Sequence, residues 1–405
     1  MNFEFIRECR LESDELQAMY DNVLQELERA EHYYWRKPQE CGIILRQTTE
    51  RICRIYNTYY QIGYPGNASL EEFLCYTDEN EHNVMVSRFL SVVRKEQRDR
   101  LNKLRVLGDD CIWGDGQYAM PFNKSQMVLY YNVGMFEEAG IEVPTTWDEW
   151  AAAAEALTKD TDGDGEPDVY GIVFANNLST DIAPWLKQAG GATMNEETNE
   201  LYFDTPETKE AIEFLNGMFQ NKTARFAGED QNANVPLQQG RAAMCVASTS
   251  ALPYIESDTM EGITIDAAAL PGYKTDDQLY YGTNVTVYDV GTDAQKEASW
   301  LYLKFLTSTE NTAYFAAQTG YIPVRKSAQN DPVFAAVLEE KPIKQLCFDC
   351  MDRGFQGTRN IGGINALDAL GDQLDLVFSG EKDIDTALKD AQANGEKAME
   401  EARNS

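Results

Sequence analysis

Apolar positions recur at helical spacing through residues 12–35, where Leu16, Met19, Tyr20, Val23, Leu24 and Leu27 share one face. The spacing returns in CGIILRQTTERICRIYNTYYQI (41–62) and is broken by GYPGNAS (63–69). SLEEFL opens another helix, with Ser69 and Glu72 spaced as a capping box, and a last helix runs through VMVSRFLSVVRKEQRDRLNKLRVLG. The pattern up to residue 113 therefore predicts an all-α bundle. From Gly116 the texture changes. QMVLYYN (126–132), VYGIVFA (169–175), AAMCVAS and NVTVYDV read as strands. Between and after them lie helical stretches: GMFEEA, TTWDEWAAAAEALTK with a Thr146–Glu149 capping box, TPETKEAIEFLNGMFQNK, DAQKEASWLYLKFLTS and two terminal helices. Strands alternating with helices predict a mostly parallel sheet covered on both faces.

Composition changes at the same point. Residues 1–113 carry 20 acidic and 15 basic residues, and the remainder carries 47 and 20, so most of the net charge of −32 lies after the break. Arg outnumbers Lys 12 to 3 before residue 114 and is outnumbered 6 to 14 after it. Five of eight cysteines and both histidines, His32 and His82, precede the break. A joint shift of this kind predicts two domains, 1–113 and 114–405. The acidity argues against a nucleic-acid partner, and no apolar run is long enough to form a transmembrane segment. The opening MNFEFIRECRLESDE lacks the apolar core of a secretory signal, so the chain as written is expected to be cytoplasmic. The early cysteines show no paired metal spacing and read as reduced thiols. The basic run Arg94, Lys95, Arg98, Arg100, Lys103 and Arg105 is interleaved with acids and reads as a solvated helix face.

Two resemblances sharpen this division. RKPQECGIILRQTTERICRIY followed by LNKLRVLGDDCIWGD resembles the small helical DUF4145 domains, over about residues 15–114. Leu104, Arg105, Leu107 and Gly108 match that family's pattern, but Trp113 stands where it carries a histidine. YAMPFNKSQMVLYYNVGMFEEAGIEVPTTWDEWAAAAEALT resembles the middle of a family 1 extracellular solute-binding protein of carbohydrate-type ABC importers. The likeness runs to about residue 403. The order of PFNKS, ASTSALPYI, YYGTN, TGYIPV and FQGTRN is similar to the branch that binds glycerol 3-phosphate and related sugars. The resemblance implies an α/β periplasmic-binding-protein-like fold of type II. Its second lobe would span about 123–258 and 330–405, with a remnant of the first lobe at about 262–325. The first lobe would be truncated and preceded by the helical bundle, which would impair binding. It also implies a carbohydrate or glycerol-phosphate-type solute as ligand, an ABC permease as partner, and no required cofactor.

A sugar is held by aromatic rings against its C–H faces and by side chains bonding its hydroxyls; a phosphate adds a need for Arg or backbone N–H donors. Matched motif by motif, the resemblance points to Ser125, Trp185, the cluster Ser248, Thr249 and Ser250, the run Gly282, Thr283 and Asn284, Tyr321 and Arg359. Trp185 also reads as a core aromatic, and Ser248–Ser250 as a helix N-cap. Arg359, one of only six arginines after residue 114 and close to a glycine, suits anion or hydroxyl recognition.

The stretch DTDGDGEPDVYG matches the first nine positions of an EF-hand loop. Asp160, Asp162, Asp164, the Glu166 carbonyl and Asp168 are the candidate ligands for calcium. Gly171 stands where the bidentate glutamate belongs, and the alternative is a solvated acidic turn. The second segment has no histidine, no Gly-x-Ser-x-Gly elbow and no phosphate-cradling glycine loop, so no enzyme is predicted. Cys347 and Cys350 read as ordinary thiols. A second reading makes the chain a cytoplasmic interaction protein that acts through its helical segment, with the receptor part a vestigial scaffold.

Overall fold

The computed structural model describes residues 111–113, 116–289, 292–341 and 343–404. All of the DUF4145-like segment but residues 111–113, the basic run and the expected truncation of a first lobe lie outside these residues. Of the described residues, those within 111–287 and 292–404 belong to one compact unit.

Seven strands form its main sheet: β1 (Met120–Asn132), β2 (Tyr170–Phe174), β3 (Ala224–Phe226), β4 (Ala242–Ser248), β5 (Ile265–Ala268), β6 (Gln278–Val285) and β7 (Gly354–Gln356). Their spatial order is β7-β6-β1-β4-β2-β3, with β5 also paired to β1. The sheet is mixed, not mostly parallel as the alternation predicted. β1 runs antiparallel to β4, β5 and β6, whereas β2 is parallel to β3 and β4, and β6 to β7. Helix–strand alternation sets direction only when consecutive strands pair. Here the partners of β1 all come from more than a hundred residues further on, so their direction is free of that rule.

Helices cover both faces. α1 (Val133–Ala139), α2 (Trp147–Leu157), α3 (Ala183–Gln188), α4 (Pro206–Gln220), α7 (Gly363–Phe378) and α8 (Ile384–Asn404) contribute to one core with Met127, Leu129, Ile172, Phe174 and Leu279. The opposite face packs Val128, Tyr130, Val173 and Cys245 against Leu237, Leu252 and Ile255. α2 begins as its sequence predicts: the Thr146 hydroxyl accepts from Glu149 N, and the Glu149 carboxylate accepts from Thr146 N at 3.2 Å. The hydrogen bonds from Thr145 and Thr146 hold that exposed carboxyl below its usual range. Two further helices matter for the site: α5 (Thr309–Gln318) and α6 (Ile343–Asp349).

Candidate functional site

The long strand β1 organises the site because its first half is only partly apolar. Side chains alternate across a strand, so Asn123 and Ser125 share one face. Their partners on β6, Thr283 and Tyr281, share it as well. Asn123 Oδ1 accepts from Thr283 N at 3.1 Å and also from the Thr283 hydroxyl. Gly282 lies between these partners at φ 138°, and a Cβ there would meet the Asn123 carbonyl oxygen at 1.8 Å. Only glycine permits this approach of the two backbones. Asn284 pairs with Pro121 beyond a register shift.

On the other side of β1, β4 ends at Ser248, opposite Met127. The Ser248 hydroxyl donates to Ser125 Oγ at 2.8 Å and accepts from Ser250 Oγ at 2.9 Å. It also caps the short turn Thr249–Ala251 by accepting from Ser250 N at 3.2 Å, so the capping and clustering roles coexist. Thr249 is buried, and its Oγ1 accepts from Gln126 N at 3.2 Å. The chain leaving α5 closes this side. Ile322 N donates to the Lys124 carbonyl at 2.8 Å, and Gly320 abuts the Thr249 backbone. Tyr321 is thereby brought beside Ser125, stacked on Phe315 with centroids 5.7 Å apart; Phe315 in turn meets Phe122 at 5.1 Å.

Three contributors escaped the sequence reading: Asn123, described above, and the pair Tyr281 and Asp181. The Tyr281 hydroxyl donates to Asp181 Oδ1, and Asp181 lies in the loop just before α3. Burial raises the Asp181 carboxyl above its usual range, against the hydrogen bonds from Tyr281 and Thr180. Burial, then the Asp181 charge, pushes the Tyr281 phenol well above its own. Tyr281 was legible as the residue before Gly282 in YYGTN. Asp181 had no motif around it. Together, Asn123, Ser125, Asp181, Ser248, Ser250, Tyr281, Thr283 and Tyr321 form a shelf of hydroxyl, amide and carboxylate groups edged by aromatic rings. Such a surface can exchange hydrogen bonds with several adjacent hydroxyls of a ligand.

Five predicted residues do not join the shelf: Gly282 serves the close strand approach, Thr249 is buried, Asn284 lies beyond the register shift, and Trp185 and Arg359 are held by other partners. Trp185 is fully buried, parallel to Trp150 at 6.2 Å and edge-on to Phe174 at 5.8 Å. Its ring faces are taken by the core, so it has none to offer a solute. The exposed Arg359 donates from Nε to Glu196 Oε2 at 3.0 Å and from Nη1 to the Ile112 carbonyl at 2.8 Å. Protein acceptors engage this guanidinium.

The acidic loop gathers only part of its predicted set. Asp160, Asp162 and Asp168 place carboxylate oxygens within 4.8 Å of one another, and Asp164 is not among them. Asp160 accepts from Gly163 N at 2.7 Å and Gly165 N at 2.9 Å, while Asp164 accepts from Glu166 N at 2.8 Å. Lys222 binds the Gly165 carbonyl at 2.9 Å and the Glu166 carboxylate. The carboxylates thus bond the loop's own backbone, as in Asx-turns. Cys347 and Cys350 are buried, and burial pushes the Cys347 thiol up to about 12.

Mixed sheet, covered faces and polar shelf place the molecule among the periplasmic-binding-protein-like α/β folds. Residues 95–340 match the family described as bacterial extracellular solute-binding protein, and the chain belongs to it. The sn-glycerol-3-phosphate-binding periplasmic protein UgpB of Rhizobium meliloti is 23% identical over 295 residues, covering 69% of this chain and 67% of that one. A putative binding protein of Brucella abortus is 26% identical over 299 residues, covering 70% and 68%. Among solved structures, UgpB from Mycobacterium tuberculosis in complex with glycerophosphocholine is similar at a TM-score of 0.65 and 24% identity, over 75% of this chain and 78% of that one. Maltose-bound MalE3 of T. maritima is similar at a TM-score of 0.64 and 17% identity, over 93% and 96%. These structures share the fold. The family is extracellular by description, which does not support the cytoplasmic expectation. No described helix is long and apolar enough to cross a membrane.

Proposed function

We propose that this chain is the solute-binding component of an ABC importer and that its shelf takes a ligand bearing adjacent hydroxyls, a carbohydrate or a glycerol-phosphate-type solute. The observation that carries this reading is the continuous run Ser250–Ser248–Ser125 beside the Tyr281–Asp181 pair, with the Tyr321–Phe315 stack at its edge. Hydroxyl and carboxylate groups at hydrogen-bond spacing beside an aromatic face suit a polyol. The relatives named for glycerol 3-phosphate and the neighbours solved with maltose or glycerophosphocholine support the class. They favour a binder over an interaction protein acting through its helical segment. We take the chain to act without catalysing a reaction.

Titration calorimetry of the full chain with maltose, glycerol and sn-glycerol 3-phosphate tests the reading. Saturable binding of at least one, weakened at least tenfold by Ser248→Ala with Ser125→Ala, is expected. Binding untouched by the double substitution would place the site elsewhere. The division at residue 114 is part of the same proposal. Limited proteolysis that releases 114–405 as a stable fragment supports it, and uniform resistance across that point overturns it.

A further inference from the structure

Resting on the shelf as the binding site, we infer that Asp181 sets its specificity: this chain takes neutral polyhydroxylated solutes and discriminates against phosphate esters. The geometry supplies a negative group where a phosphate binder needs positive ones. The Asp181 carboxylate reaches the shelf through the Tyr281 hydroxyl, and Tyr281 is the cross-strand neighbour of Ser125. A dianionic phosphate placed among these hydroxyls meets a like charge within a few ångströms, in surroundings that screen it poorly. A neutral hydroxyl instead donates to that carboxylate, a charge-assisted bond stronger than one between neutral groups.

Among the described residues, Lys124, Arg359 and Lys187 are each engaged by other groups. Lys124 follows Asn123 on β1, so its side chain points to the opposite face, where Nζ donates to Gln356 Oε1 at 3.1 Å. The Arg359 guanidinium is held by Glu196 and the Ile112 carbonyl. Lys187 on α3 sets its ammonium over the Phe355 ring at 5.1 Å. Phe355 pairs with Leu279, two residues down the strand from Tyr281. A ligand with adjacent hydroxyls and no phosphate needs none of the three.

The test is calorimetry of the full chain at constant ionic strength with maltose and glycerol as neutral probes, and sn-glycerol 3-phosphate and glycerophosphocholine as phosphate probes. The parent is expected to bind a neutral probe at least tenfold more tightly than sn-glycerol 3-phosphate. Asp181→Asn, which keeps an acceptor for Tyr281 and removes the charge, narrows that ratio at least tenfold. Tyr281→Phe keeps the charge, weakens both classes and leaves the ratio standing. Tighter binding of sn-glycerol 3-phosphate by the parent, or an unchanged ratio in Asp181→Asn, overturns the inference and leaves the binding reading intact. Failure of all four probes to bind overturns the reading and the inference with it. If Asp181→Asn does not fold, the parent's ratio and the Tyr281→Phe comparison still decide.

Discussion

Gly320 is the position where a single methyl group tests the shelf. A Cβ there would stand 2.0 Å from the Thr249 carbonyl oxygen and 2.7 Å from Ser250 Cα. The shorter approach falls about 1.4 Å inside ordinary contact. Both atoms belong to backbone, so no flexible side chain can yield. Gly320 lies outside the positive-φ region, so alanine meets no conformational strain, and the whole effect is steric. Gly320→Ala must therefore lift Thr319–Tyr321 from the Ser248–Ser250 turn. Forcing a methyl into a packed contact costs about 2 kcal/mol, or roughly 5 °C in Tm for a domain of this size. The displacement also draws Tyr321 away from Ser125 and strains the bond from Ile322 N to the Lys124 carbonyl. A solute deprived of the Tyr321 ring and of one shelf hydroxyl should bind ten- to a hundredfold more weakly, whichever probe the parent takes. Gly217→Ala is the control, because a Cβ at that helical position meets nothing within 4 Å. It should leave affinity alone and leave Tm level or slightly raised. A fall in Tm with unchanged affinity would refute Tyr321 as part of the site, and an unchanged Tm would refute the close approach itself.

Trp185→Ala should cost about 3–5 kcal/mol of stability through the cavity left beside Trp150 and Phe174, with affinity of the folded fraction preserved. Affinity lost without a fall in Tm would return Trp185 to the solute. Lys344 is buried, its Nζ donating to the carbonyls of Ala316 at 2.5 Å and of Thr319, and burial pushes it down from 10.5 to about 8. Between those values the unfolded chain holds more protons, so stability should rise with pH from about 8 to 10.5, by at most roughly 3 kcal/mol; Lys344→Met should flatten that rise in denaturant melts. Asp160→Ala leaves two backbone donors of the acidic loop without their acceptor and should cost about 1–2 kcal/mol in calcium-free buffer. A parent Tm that climbs with millimolar calcium, and does not climb in Asp160→Ala, would make the loop a cation site instead of an Asx-turn.

The sequence exposed the parts of this molecule that depend on local pattern. The Thr146–Glu149 capping box and the strand at 126–132 are fixed by neighbours a few residues away, and both stand where the pattern puts them. Ser125, Ser248, Ser250 and Tyr321 belong to segments matched as motifs, and the fold brings all four together. The direction of β1 was not legible, because its partners are set by contacts over more than a hundred residues. The same blindness explains Trp185. An aromatic at the start of a short helix carries no local mark of which way it faces, and only the stacked core of Trp150 and Phe174 decides.

Asp181 shows why the site is harder to read than the fold. Its role depends on a hydroxyl a hundred residues away and on burial that no short motif encodes. Arg359 is the converse case. Its composition and flanking sequence suggested an anion ligand, yet a glutamate on the Met194–Leu201 hairpin takes its charge. Charge at a binding site is a difference between what a motif supplies and what the fold neutralises, and the second quantity exists only in three dimensions. A chain can therefore share a fold with UgpB and still present a shelf with an electrostatic preference of its own. At this depth of divergence, likeness to the solved structures carries over the fold alone. The sign of the charge at the site has to be established for each chain.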